Sequence, residues 1–120
     1  MRAAADVLTA FAALEHAWFL VLEMFLWTKP IGLRTFRLTP EFASASKALA
    51  ANQGLYNGFL AAGLMWGLLS AEPSSLPIKT FFLACVVIAG VFGAMTVSPR
   101  ILWLQAAPAL AALALLRLVR

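Results

Sequence analysis

The stretch from Ile78 to Val97 is the cleanest hydrophobic run in the chain. About 20 apolar residues in a helix rise roughly 30 Å, the thickness of a bilayer's hydrocarbon core. The rest of the sequence has the same character. Of its 120 residues, 63% are hydrophobic and 12% charged, and the mean hydropathy is +0.91. Soluble domains carry about 25% charged residues, so this composition excludes a water-soluble globule. Four spans of about 20 residues use roughly 80 positions and leave only loops and ends. The expectation is therefore one all-α domain over residues 1–120, an integral membrane four-helix bundle in the cell membrane. Its spans are expected at about 6–28, 41–69, 78–97 and 101–117.

The breaks between spans follow from local chemistry. Trp27-Thr28-Lys29-Pro30 marks an exit, because tryptophan suits the headgroup boundary, lysine snorkels there, and the residue before proline is biased out of a helix. Ile31 to Pro40 reads as an interfacial loop. Thr39 caps the next helix, with Pro40 at its first position and Glu41 at its positive end. A turn over 70–77 and a short one at Ser98-Pro99-Arg100 separate the later spans, and Pro108 should kink the last. With four spans, Arg2, Lys79, Arg117 and Arg120 share one side, against Lys29, Arg34, Arg37, Lys47 and Arg100 on the other. The cluster in the first loop tilts that loop towards the cytoplasm.

Nine Lys and Arg against five Asp and Glu give a net charge of +4. These cations sit beside apolar segments, where lipid headgroups rather than nucleic acid are the expected partners. Cys85 stands alone in an apolar run, which leaves no disulfide and no thiolate cluster. Glu15 and His16 interrupt any signal-type apolar core, so the first segment is read as a retained span.

Charged side chains near a helix centre cost roughly 2.5 to 3.5 kcal/mol on insertion scales, so each needs a partner or a polar cavity. His16 and Glu23 are seven positions apart, within about 20° of one face and roughly 10 Å apart along the axis. Trp27 lies along the same edge, while Glu15 suits a structural or assembly contact. On the second span Asn52, Gln53, Tyr56 and Asn57 cover an arc of about 140°. Gly63 and Gly67 continue that face as a groove, and Gly54 and Gly58 form a separate strip suited to close packing, including packing against a second copy. Burial disfavours the charged form of either group, which leaves a carboxylic acid able to give a proton and an imidazole able to accept one. Gln105, beside the carbonyl freed by Pro108, is a further polar group at depth.

Three pieces, Glu23-Met24-Phe25-Leu26-Trp27, Pro40-Glu41-Phe42 and the block from Asn52 to Leu64, resemble the domain of unknown function 1304 family, small four-helix integral membrane proteins. The resemblance covers essentially the whole chain. It implies the topology and the alignment of His16 and Glu23 with the amide block, and it implies no activity.

Function therefore has to come from the residues. The leading expectation is a membrane-embedded, isomerase-type enzyme that binds a hydrophobic small molecule between the first two spans. His16 and Glu23 would be catalytic in proton transfer, and Asn52, Gln53, Tyr56, Asn57 and Trp27 would bind substrate. A variant places haem on His16, similar in outline to small four-helix membrane epoxide isomerases. The alternatives are an oligomeric proton-coupled transporter and a non-catalytic scaffold or accessory subunit.

Overall fold

The computed structural model describes residues 1–119, and Arg120, one of the cations assigned to the side of the termini, lies outside them. Among the described residues every regular element is helical: α1 (Arg2–Met24), α2 (Pro30–Phe36), α3 (Pro40–Leu69), α4 (Ser75–Thr96), a π-helical turn (Leu102–Ala106) and α5 (Ala107–Leu118). α1 and α4 are long and apolar enough to cross a membrane.

α3 starts where its cap predicts, with the Phe42 N–H donating to Thr39 Oγ1 at 3.2 Å. Two expectations need correction. The first span ends at Met24 rather than residue 28, and the stretch expected as a loop after it contains α2. Pro30, expected as a stop, instead opens α2, because its fixed φ and missing N–H suit a first helical position. Arg37 ends α2 in the left-handed region at φ 55°, its N–H donating to the Leu33 carbonyl. Gly32 fits where no other residue would, since a Cβ there would fall on the Leu26 carbonyl. The kink expected at Pro108 takes the form of a π-helical turn just before it, which accommodates the lost backbone hydrogen bond.

The chain divides into two compact units. One comprises Met1–Leu14 and the chain from Leu60 onward. Its core is built from Ala5, Ala12, Ala13, Leu64, Leu83, Val86, Ala109, Ala112 and Leu116. Alanines at so many contacts let helix backbones approach closely, as membrane helices commonly do. Gly90 on α4 extends this pattern, because a Cβ there would lie 2.8 Å from that of Ala106 in the π-helical turn. The groove expected at Gly63 and Gly67 is filled: the Phe82 ring covers Gly63, and Lys79 and Ile78 cover Gly67. The Ser75 hydroxyl fixes the α3–α4 corner by donating to the Gly67 carbonyl at 2.7 Å.

The other unit is Glu15–Phe59. Its turn is held by Trp27, whose Nε1–H donates to Ser46 Oγ at 3.0 Å while its ring packs on Phe36 with centroids 5.0 Å apart. α1 passes α3 across Gly54 and Gly58. A Cβ on Gly54 would lie 2.8 Å from Met24 Cγ and 3.0 Å from Glu23 Cβ, and one on Gly58 would lie 2.5 Å from Leu20 Cδ1. The strip suited to a second copy is thus occupied by α1 of the same chain. Gly54→Leu is expected to cost about 1–2 kcal/mol through overpacking, measured as a lower melting temperature in detergent. A variant that melts like the wild type would overturn this account of the helix pair.

Candidate functional site

All seven residues expected at the site lie in the unit Glu15–Phe59. Glu23, in the last turn of α1, is 4% exposed, and its Oε1 accepts a hydrogen bond from Asn57 Nδ2 of α3 at 2.5 Å. This polar contact joins the two elements on which the sequence placed the site. His16 is completely buried, with its imidazole edge-on to Phe19 at 5.6 Å between centroids.

The remaining residues do not join them. Asn52, Gln53 and Tyr56 are exposed, and Tyr56 packs only loosely on Phe59, with ring centroids 6.0 Å apart. Trp27 belongs to the turn, bonded to Ser46. The cause is the rotation of α3 about its axis. Measured from Asn52 around an ideal helix, Tyr56 lies at about 40°, Gln53 at about 100° and Asn57 at about 140°. Gly54 and Gly58 follow at about 200° and about 240°. α1 settles on the glycines, where a helix can come closest. Asn57, next to that strip, reaches Glu23, and the other three are carried round to the outside.

The carboxyl of Glu23 is shielded and satisfied by a carboxamide, an arrangement that holds two helices together. Among the described residues no group of three His, Cys, Asp or Glu is placed to hold a metal ion. Gln105 lies half-buried in the π-helical turn, within the unit that starts again at Leu60.

The sequence reading missed a second polar contact, in the other unit. Lys79 of α4 donates from Nζ to Asp6 Oδ1 of α1 at 2.7 Å, and the lysine side chain is 4% exposed against 42% for the aspartate. Both residues fall where spans were expected to begin. Their separation of 73 positions leaves no local pattern to reveal the pair.

Over residues 10–117 the chain matches the family described as Protein of unknown function (DUF1304). It is 28% identical over 109 residues to the uncharacterized protein YpaA of Lactococcus lactis subsp. lactis (strain IL1403), covering 89% of this chain and 91% of that protein. No solved structure matches it.

Proposed function

This chain belongs to the DUF1304 family, and on that premise we propose that it is a multi-pass integral membrane protein that works by assembling with another membrane helix rather than by catalysis. Four crossings, by α1, α3, α4 and the segment from the π-helical turn through α5, account for its apolar surface. Leu69 and Met95, each 80% exposed, belong to that surface and suit lipid better than water. Within one unit the first turns of α1, the 70–74 turn and the last turn of α5 line a common cleft, as an even number of crossings would arrange them.

One observation carries the assembly reading. The groups able to do proton chemistry, His16 and Glu23, are closed off, whereas the hydrogen-bonding groups Asn52, Gln53 and Tyr56 stand on the outside of α3. Amides facing lipid lose hydrogen bonds to water and gain none, so a helix with such an edge is stabilised by a neighbour with donors and acceptors of its own. The occupant with matching chemistry is a transmembrane helix bearing amide or hydroxyl side chains.

The test is the triple variant Asn52→Leu, Gln53→Leu, Tyr56→Phe. It is expected to reach the membrane fraction at wild-type level and to run in mild detergent as a smaller particle than the wild type. An unchanged particle size would overturn the reading.

A second reading rests on Asn57, which is half-buried and links Glu23 to the open edge. A lipid-soluble molecule with a polar oxygen could dock on Gln53 and Asn57 and draw Glu23 into proton transfer. Glu23→Gln separates the two readings, because it removes the proton and spares the amide edge.

A further inference from the structure

Arg2, Glu72, Pro73, Leu76, Lys79, Leu116 and Val119 line a cleft of about 260 Å³ in the unit that contains both ends of the described chain. That volume equals about nine waters at roughly 30 Å³ each. Its charges are arranged unusually. Lys79 is buried and already neutralised by Asp6, leaving one cation, Arg2, and one anion, Glu72, at the rim. Both rim residues are exposed. Leu76, Leu116, Pro73 and Val119 supply the apolar remainder.

A purely anionic ligand would meet Glu72 and a purely cationic one would meet Arg2. A small zwitterion satisfies both. A planar guanidinium suits a phosphate, and an ammonium such as that of Lys79 has three donors, of which Asp6 takes one. Glu72 then has an acceptor oxygen for a protonated amine. Phosphate and primary amine two carbons apart form a group of eight heavy atoms, which matches the volume, and the apolar side chains continue the site towards lipid tails.

We propose that this cleft binds the headgroup of an ethanolamine phospholipid: phosphate on Arg2 and Lys79, ammonium on Glu72, and the glycerol end against Leu76 and Leu116. The proposal rests on the membrane location in the proposed function and on nothing in the assembly reading. A quaternary choline ammonium has no N–H to donate to Glu72, and a glycerol headgroup has no positive charge to offer it.

The test is retention of lipids from membranes containing equal amounts of ethanolamine, choline and glycerol phospholipids with identical acyl chains, read by native mass spectrometry of the released protein. The wild type is expected to retain the ethanolamine lipid up to about five-fold over the other two, the size of one partly exposed ion pair. Glu72→Gln should abolish the preference over the glycerol lipid, and Arg2→Ala should lower retention of the ethanolamine lipid itself. Soluble phosphoethanolamine should not displace the lipid. Equal retention of the three lipids, or a preference untouched by both variants, overturns the proposal, and displacement by the soluble headgroup reassigns the cleft to a free phosphoamine. Failure of the membrane reading is distinguishable, because the protein would then be absent from the membrane fraction altogether.

Discussion

Asp6→Ala is expected to destabilise the folded chain by about 1–2 kcal/mol, less than the roughly 3–5 kcal/mol for removing one member of a fully buried ion pair, because Asp6 is 42% exposed. The reason is what it leaves behind. Lys79 is 4% exposed, so without Asp6 its ammonium keeps its charge inside the protein with no counter-ion, or gives up its proton at a comparable cost. The reverse truncation should be milder. Asp6 is 42% exposed, and water can solvate it once Lys79→Met has removed the ammonium. The double variant Asp6→Leu, Lys79→Met should recover most of the loss, since an apolar pair of similar volume often replaces a buried ion pair at no net cost. Thermal melts in detergent measure all three. If Asp6→Ala and Lys79→Met lose equal stability, the asymmetry of burial is not what decides the energetics of this contact.

This pair and the Glu23–Asn57 contact show how far the sequence could be read. The ends of α3 were legible because each signal was local: Thr39, Pro40 and Glu41 mark one, and the turn expected over 70–77 marks the other, although that turn is shorter than expected because α4 already begins at Ser75. The residue types of the site were also legible, because a carboxyl and an amide in an apolar chain call for each other wherever they fall. The orientation of α3 was not. A helical wheel fixes the angles between Asn52, Gly54 and Asn57 but not which of them faces α1. Packing made that choice. Gly54 and Gly58 allow closer approach than Asn52 and Tyr56, and the dispersion attraction between closely packed backbones outweighs a few exposed hydrogen bonds. Small residues predicted a packing surface at Gly54 and Gly58, and α1 of the same chain lies against it. Gly63 and Gly67 were read as an open groove, where Phe82 and Lys79 lie.

Glu23 and Asn57 should show a coupling that tells clasp from catalyst. Asn57→Leu leaves a carboxyl group that is 4% exposed without its donor, and is expected to cost about 2 kcal/mol, within the usual range for an orphaned buried polar group. Glu23→Leu strands the Asn57 amide, which is only half-buried, and should cost less. The pair Glu23→Leu, Asn57→Leu removes both polar groups together, and its loss should fall well short of the sum of the single losses, a coupling readable from a double-mutant cycle in detergent melts. Glu23→Gln is the decisive member of the series. Its side-chain oxygen can still accept from Asn57 Nδ2, so stability should change by less than about 0.5 kcal/mol, while the capacity to release a proton is gone. Under the assembly reading this variant keeps the wild-type particle size, because the amide edge at Asn52, Gln53 and Tyr56 is untouched. Under the proton-transfer reading it folds equally well and loses whatever lipid-soluble molecule or turnover depends on an acidic Glu23. A folded, fully assembled Glu23→Gln protein that no longer supports its cellular role would therefore move the function from the outer face of α3 back to the carboxyl group between the helices.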